Sequence, residues 1–233
     1  MAARVVRLVN AVGLELLGGL VVLTGAAWIF GWMAEDLAEG DTKVDQRLAD
    51  WLHEHATPLW TDFFENVTWL GNVPVLAVVA VIAAVVLAYK RQIAELQLFA
   101  LAAVGTEILT TGLKLGFQRE RPFFPDPLAT ETSYSFPSGH SSVSLAVYGT
   151  LGYIAARHLS TRRAQIAILA AAATVVGLIG FSRLYLGVHF LSDVIAGFSV
   201  ALAWIALCVV LLHLRLRLRT RRELQTSRYR ASA

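Results

Sequence analysis

Two histidines and an aspartate in the second half of the chain have the types and the spacing for nucleophilic catalysis. His189 and Asp193 are four residues apart, so on a helix they lie on one face, one turn from each other. A carboxylate bound to one imidazole nitrogen fixes the tautomer and leaves the other nitrogen free to attack. An imidazole also titrates near neutral pH, which makes His140 a candidate to protonate a leaving group.

Three basic residues stand close to these histidines in the sequence pattern: Lys114, Arg121 and Arg183. Guanidinium groups match phosphate oxygens in bidentate geometry, and a lysine adds a point charge. Ser138 and Gly139 stand at the predicted start of a helix, where free backbone N–H groups can face an anion. The set predicts a phosphate cradle that needs no metal and that stabilises the charge of the transition state.

Each of these features alone has an ordinary structural explanation. A His–Asp pair at this spacing is a common local contact, and Arg183 could simply extend to the lipid headgroups. The combination of all three clusters on one predicted side of a membrane favours a phosphate site. An anion transporter would instead place its charges at mid-membrane depth on broken helices.

The same residues resemble the signature of a known family. Lys114 to Pro122 reads K-x6-R-P, Pro137 to His140 reads P-S-G-H, and Ser182 to Asp193 reads S-R-x5-H-x3-D. Together they look like the three-part signature of the type 2 phosphatidic acid phosphatase superfamily, complete and in order. The size and the helix layout resemble its membrane-bound bacterial branch. The resemblance covers about half of the chain.

The resemblance implies roles that agree with the residue types. It implies that His189 becomes phosphohistidine, that Asp193 orients it, and that His140 donates a proton to the leaving group. The phosphate-binding residues that it implies are Lys114, Arg121, Ser138, Gly139 and Arg183. The family is metal-independent and needs no cofactor, and vanadate is expected to mimic the bound phosphoryl group.

The expected function is therefore hydrolysis of a membrane lipid phosphate: phosphatidylglycerol phosphate, phosphatidate or undecaprenyl pyrophosphate. A lipid phosphotransferase with the same site is the first alternative, and a non-catalytic anion or lipid transporter is a weaker one. The expected partners are the lipid substrate and bilayer lipids. The arginine-rich tail does not require nucleic acid, because contact with anionic headgroups explains it. The sequence predicts no oligomeric state.

The elements that must position these residues are apolar helices. Hydrophobic residues make up 56% of the 233 residues and charged residues 16%, against roughly 25% charged residues in a soluble protein. Four segments carry no charge: 16–34, 66–89, 164–182 and 194–214. Each is long enough to span a bilayer. With the less uniform segments 96–113 and 139–156, the pattern predicts an all-α bundle of six transmembrane helices.

The topology follows from the positive charges. The first helix is expected over about residues 7–33 as a retained span, not a cleaved signal peptide. Fourteen Lys and Arg residues fall on the side of both termini and six on the other side. This predicts cytoplasmic termini and a site facing the periplasm in a bacterial inner membrane. The segment between helices 1 and 2 contains Trp51, Trp60 and Trp69 and is expected to lie in the membrane interface.

We expect one membrane-embedded domain over residues 1–233, with the motifs in 107–200 and a basic tail in 215–233. Glu15 and Glu107 lie inside predicted spans, where acidic residues are costly and often functional. Glu107 is two turns from Lys114 on about the same face, and a structural hydrogen bond is its expected role. Cys208 is the single cysteine, expected in the core or facing lipid.

Overall fold

The computed structural model describes the backbone of residues 2–40 and 42–232 and the side chains of residues 16–40 and 42–215. Within these residues every regular element is a helix and there is no strand, as the sequence predicts. The helices are α1 Ala2–Glu39, α2 Lys43–Glu54, α3 Pro58–Trp69, α4 Val73–Tyr89, α5 Ile93–Phe117, α6 Gly139–Ser144, α7 Thr150–His158, α8 Arg162–Tyr185 and α9 Leu191–Ser232. The predictions made for Glu15 and for the basic tail beyond Arg215 concern side chains outside the described residues.

Four helical segments of the described chain are long and apolar enough to cross a membrane: Leu16–Glu39, Ile93–Phe117, Arg162–Tyr185 and Leu191–Arg215. The pair α3 and α4, which meet at an angle of 41°, makes a fifth if it counts as one bent span. The prediction of six spans is therefore not confirmed. Helices do occupy all six predicted positions, and the chain is a multi-pass membrane protein.

The helix expected over residues 139–156 differs most from a simple span. It runs from Gly139 to His158, but a π-helical turn at Leu145–Gly149 separates α6 from α7. The hydroxyl-bearing residues of this segment face the protein interior: Ser141, Ser142, Ser144 and Thr150 are all buried. This helix is therefore short, polar and internal, unlike the long apolar helices around it.

The outer surface of the bundle is apolar, as a bilayer requires. Val21, Trp28, Val85 and Ile108 are all largely exposed although they lie in the middle of helices. A soluble protein rarely exposes such a continuous apolar surface. Inside the bundle, α1 packs along α9, and α9 also contacts α5 and α6. Cys208 is buried on α9, in agreement with its expected place in the core.

The segment between α1 and α4 folds into two short helices. On α2, Asp45, Ala49 and Leu52 are buried at helical spacing and form one inward face. On α3, Phe64 is buried and Trp60 is exposed. Both helices pack against α8, at the end of the bundle where α5, α6, α8 and α9 bring the sequence motifs together.

Candidate active site

All eight predicted site residues lie at one end of the bundle. A cavity of about 640 Å³ opens there. The predicted residues that line it are Lys114, Arg121, Gly139, His140 and His189. The other three, Ser138, Arg183 and Asp193, are buried directly behind its wall. They come from the end of α5, the start of α6, the end of α8 and the start of α9, so four helix ends build the site.

His189 lies just before α9 and is held through its Nδ1 atom. Nδ1 is 3.4 Å from Oδ2 of Asp193 and 3.2 Å from Oγ of Ser135. Ser135 in turn donates a hydrogen bond of 2.5 Å to the same carboxylate oxygen. The other ring nitrogen, Nε2, lies 3.2 Å from NH1 of Arg121. The ring is thus fixed on one side and directs Nε2 toward the cationic groups.

His189 lies in a setting that favours the neutral imidazole. Burial lowers its pKa from the usual 6.5 to about 3, although the hydrogen bond to Asp193 acts in the opposite direction. The positive charge of Arg121 lowers the pKa further. A neutral ring has a free lone pair on one nitrogen, and with Nδ1 directed to Asp193 that lone pair belongs to Nε2. The geometry therefore suits nucleophilic attack at neutral pH.

Asp193 is completely buried, and Arg119 neutralises its charge. NH1 of Arg119 donates hydrogen bonds of 2.7 Å to Oδ1 of Asp193 and to Oγ of Ser192. Its NH2 donates one of 2.8 Å to Oδ2 of Asp45 on α2. The guanidinium also lies 4.3 Å from the centre of the Phe190 ring. Buried charges require such paired, hydrogen-bonded settings.

The sequence analysis gave no role to Arg119, Asp45 or Ser135. A signal for Arg119 was present, since it stands two residues before Arg121 in the R-x-R-P run. Asp45 lies 74 residues from Arg119, in a segment with no motif. Ser135 is the residue before the Phe136–Pro137 bond, which is cis. Its backbone N–H donates a hydrogen bond of 2.8 Å to the carbonyl of Arg119. This bond connects the loop to the residue that forms the ion pair with Asp193.

The cations that face the cavity are held by backbone carbonyls of two loops, the one between α5 and α6 and the one between α8 and α9. Nε of Arg121 donates a hydrogen bond of 2.7 Å to the carbonyl of Ser133, and NH1 donates one of 2.5 Å to the carbonyl of Val188. Nζ of Lys114 donates to the carbonyl of Tyr134. Lys114 keeps further N–H groups for a ligand, because a lysine has three donors. The five donors of Arg121 all have acceptors of the protein within hydrogen-bond distance, so a phosphate would have to replace some of them.

Arg183 is the most deeply buried of the three cations, with 3% of its surface exposed. NH1 donates a hydrogen bond of 2.7 Å to Oγ1 of Thr68 on α3, and NH2 donates one of 2.5 Å to Oε1 of Glu131 in the loop between α5 and α6. Its Nε has no hydrogen-bond partner among the residues that the structure describes. Glu131 also lines the cavity, so a carboxylate of the protein itself lies within the cation cluster.

Ser138 and Gly139 stand at the start of α6, next to Asp193. Oγ of Ser138 accepts from the N–H of Ser141 at 3.4 Å and caps the helix. The N–H of Ser138 donates 2.9 Å to the carbonyl of Asp193. This close contact depends on Gly197, because a Cβ there would lie 2.6 Å from the Ser138 carbonyl oxygen. α6 and α9 are thereby locked together.

His140 and Glu107 line two other parts of the cavity. Nε2 of His140 lies 2.7 Å from Oδ1 of Asn72, a partner that the sequence did not indicate. Glu107 accepts a hydrogen bond of 3.3 Å from Thr111 on the same helix. That contact matches the structural bond expected for Glu107, but the residue also reaches the cavity.

This arrangement joins two histidines, a buried aspartate and three cations at the end of a membrane helix bundle. The sequence model of the PAP2 superfamily matches residues 95–217, which is more than half of the chain. The protein therefore belongs to the PAP2 superfamily, the family whose signature the motifs resemble.

Among individual relatives, phosphatidylglycerophosphatase B of Bacillus subtilis (strain 168) is 43% identical over 109 residues. The match covers 45% of this chain and 52% of that protein, so it spans about half the length of the relative. The crystal structure of a transmembrane PAP2 type phosphatidylglycerolphosphate phosphatase from Bacillus subtilis superposes with a TM-score of 0.70 at 27% identity, and covers 82% of this chain and 93% of that one.

The crystal structure of Aquifex aeolicus LpxE gives a TM-score of 0.56 at 24% identity, with 72% of this chain and 93% of that chain covered. At this identity the likeness concerns the fold alone.

Proposed function

We propose that the protein is a membrane lipid phosphatase that works through a phosphohistidine at His189 and needs no metal. The observation that carries the proposal is the setting of His189. Its Nδ1 is held beside Asp193 and Ser135, and its Nε2 lies among the cations at the cavity. A neutral, oriented imidazole beside a cationic cradle is what attack on a phosphate ester requires.

In the first step, Nε2 of His189 forms a bond to phosphorus as the bond from phosphorus to the lipid oxygen breaks. The electron pair of that bond goes to the leaving oxygen, which takes a proton from His140. Burial and the nearby cations Arg183, Arg121 and Lys114 hold the pKa of His140 far below its usual 6.5 in the free protein. The negative charges of a bound phosphate ester offset these cations and raise that pKa, so the ring takes up its proton as the substrate binds. His189 then carries the phosphoryl group and a positive charge, which the Asp193 carboxylate offsets. Lys114, Arg121 and Arg183 bind the phosphoryl oxygens and stabilise their charge in the transition state.

In the second step, water attacks the phosphohistidine. His140, now neutral, takes a proton from the water, the N–P bond breaks, and inorganic phosphate leaves. The same residue thus serves as acid in one step and as base in the next. A phosphotransferase would share the first step and use an alcohol in place of water, so product analysis separates the two activities.

The shape of the cavity supports a lipid substrate. Its polar end contains Lys114 and Arg121, while Val73, Leu76 and Leu115 contribute apolar walls from α4 and α5. A phosphate headgroup would bind at the polar end while acyl or prenyl chains extend between the helices into the bilayer. Phosphatidylglycerol phosphate is the first candidate because relatives from Bacillus subtilis carry that activity in their names.

We further propose that the site faces the periplasm of a bacterial inner membrane and that both termini are cytoplasmic. The distribution of Lys and Arg in the sequence supports this orientation. α2 and α3 would lie at the interface beside the site, since Trp51, Trp60 and Trp69 are all exposed on them. Tryptophan is enriched at headgroup depth.

The test is phosphate release from phosphatidylglycerol phosphate, phosphatidate and undecaprenyl pyrophosphate by purified protein in detergent with EDTA. We expect the wild type to release phosphate from at least one lipid and His189→Ala to release none. His55→Ala changes an exposed histidine just after the end of α2, outside the cavity lining, and serves as a matched control with full activity. An inactive wild type, or an active His189→Ala variant, would refute the proposal.

A further inference from the structure

The break between α3 and α4 contacts two residues of the proposed catalytic apparatus. Thr68, in the last turn of α3, accepts a hydrogen bond of 2.7 Å from Arg183. Three residues later, Gly71 packs against the ring of His140. A Cβ at Gly71 would lie 3.0 Å from Cδ2 of His140 and 2.6 Å from a methyl carbon of Ile179. Only a glycine fits this contact without displacing the histidine.

A hydrogen bond from Tyr148 also holds the chain at 70–72, where α3 ends and α4 begins. The hydroxyl of Tyr148 donates a hydrogen bond of 2.8 Å to the carbonyl of Leu70. Tyr148 belongs to the π-helical turn that follows α6, the helix that carries His140. The chain at 70–72 is therefore attached both to the segment that bears His140 and, through Thr68, to Arg183.

Asn72 lies at the position where α4 begins. Asparagine is favoured there because its side chain usually accepts a hydrogen bond from the first turn of the helix. Here its backbone is extended, as expected at a cap, but its side chain makes no capping bond. Its Oδ1 instead lies 2.7 Å from Nε2 of His140. An amide oxygen accepts and never donates, so Nε2 of His140 carries the hydrogen.

The two histidines of the site thus have partners of different charge. His189 has the carboxylate of Asp193 beside its Nδ1, whereas His140 has a neutral amide on its Nε2. A carboxylate would stabilise the protonated imidazole and make it a weaker acid. An amide orients the ring without adding a negative charge, and this suits a residue that has to release its proton.

We infer that Asn72 is a positioning residue for proton transfer: it holds the Nε2–H of His140, so that Nδ1 exchanges the proton with the leaving group and with water. In the protonated ring, Nε2–H stays on Asn72 and Nδ1–H passes its proton to the leaving oxygen as the P–O bond breaks. The neutral ring that remains takes a proton from water at the same Nδ1. The inference rests on the proposed function, because it needs His140 to act as the acid.

The test compares two leaving groups in Asn72→Ala. An alkyl oxygen, as in a lipid phosphate, needs a proton to depart, whereas a nitrophenolate departs without one. Because general acid catalysis contributes about 10²- to 10⁴-fold, we expect kcat on the lipid phosphate to fall roughly 10- to 100-fold. On 4-nitrophenyl phosphate the first step, measured as the pre-steady-state burst of nitrophenolate, should change by no more than about twofold. The burst is measured because the second step uses His140 as a base with either substrate. KM should change little on either substrate, since Asn72 does not bind the phosphate.

A second variant, Asn72→Asp, keeps the shape and adds a charge. The carboxylate stabilises the protonated form of His140, so the basic limb of the kcat–pH profile should move to higher pH by about one unit. Asn66→Ala is the matched control: Asn66 is an exposed amide on α3 that bonds the carbonyl of Asp62, and its removal should leave both substrates and the pH profile unchanged.

Equal losses in the first step on both substrates in Asn72→Ala, or an unmoved basic limb in Asn72→Asp, would overturn the inference. His140→Ala separates this failure from failure of the proposed function. If His140→Ala spares the nitrophenolate burst and Asn72→Ala does not, only the role of Asn72 is refuted. If His140→Ala loses the first step equally on both substrates, the acid role of His140 fails with it.

Discussion

NH2 of Arg183 lies 2.5 Å from Oε1 of Glu131, so a carboxylate from the loop between α5 and α6 occupies one face of a buried guanidinium. Arg183 belongs to the residues proposed to bind phosphate, and Glu131 lines the same cavity. A phosphate that binds Arg183 must displace or approach this negative charge. The contact therefore opposes anion binding in the free protein.

Glu131→Gln should consequently bind phosphate analogues more tightly. Removal of one negative charge beside the cation cluster favours an anion by about 1 kcal/mol at 4 Å even with the full screening of bulk water. We expect the inhibition constant for vanadate to fall roughly three- to tenfold. Glu120→Gln, an exposed carboxylate of the same loop, should change it less than twofold. Unchanged or weaker inhibition of Glu131→Gln would contradict this account.

Arg119→Ala should destabilise the fold more than any exposed substitution. It would leave Asp193 and Asp45 without their common partner, and Asp193 is fully buried. Removal of one member of a buried ion pair costs about 3–5 kcal/mol. Arg47→Ala, an exposed arginine on α2, should cost less than about 0.5 kcal/mol. Thermal unfolding in detergent measures both, and equal midpoints for the two variants would refute the importance of the buried pairs.

Ser135→Ala should lower kcat about tenfold with little change in KM. The hydroxyl lies beside Nδ1 of His189 and donates to Asp193, so its loss removes support for the ring without touching the phosphate. Ser133→Ala provides the contrast, because Oγ of Ser133 accepts a 3.1 Å hydrogen bond from Arg121. That variant should act mainly on KM. Steady-state kinetics on one lipid phosphate distinguish the two, and identical effects would contradict the assignment.

The buried setting of His189 also predicts a pH dependence of stability. Burial lowers its pKa from 6.5 to about 3 in the folded protein. The unfolded chain therefore binds a proton on this residue between pH 6.5 and about 3, while the folded protein does not. The neutral His189 therefore makes its full contribution to the free energy of unfolding above pH 6.5, and this contribution is lost as the pH falls from 6.5 to about 3. His189→Gln should lose less stability than the wild type between pH 6.5 and 4; parallel curves would argue against the depressed pKa.

The grouping of the candidate site residues could be predicted from the sequence because it depends on residue types at short, fixed spacing. His189 and Asp193 are one helical turn apart, and Ser138 immediately precedes the helix that carries His140. The hydropathy pattern then predicted that these motifs lie at helix ends on one side of the membrane. In the structure these helix ends surround one cavity.

The supporting contacts could not be predicted in this way. His140 and Asn72 are 68 residues apart, and Arg183 and Thr68 are 115 residues apart. The Arg183–Thr68 pair depends on how α3 packs against α8, and the His140–Asn72 pair on how the start of α4 lies against α6. No local sequence pattern encodes either arrangement. Ser135 and Glu131 lie in a loop whose path is set by its contacts with Arg119 and Arg183 and not by any periodicity.

The expectation of six spans was not confirmed, for a related reason. Hydropathy treats an apolar segment as one straight helix, but residues 66–89 are broken at 70–72, where Asn72 turns toward His140. The segment that begins at Gly139 is internal and buries its hydroxyl groups against neighbouring helices. One such contact is the 2.9 Å hydrogen bond from Thr110 to Ser142.

The central claim is that His189 carries the phosphoryl group, and trapping of that intermediate tests it most directly. Wild-type protein is mixed with a lipid phosphate labelled with ³²P in the presence of EDTA, quenched in alkali and digested, and the labelled peptide is sequenced. We predict label on the peptide that contains His189, and none in His189→Ala. Label on another residue, or phosphate release from His189→Ala, would contradict the account.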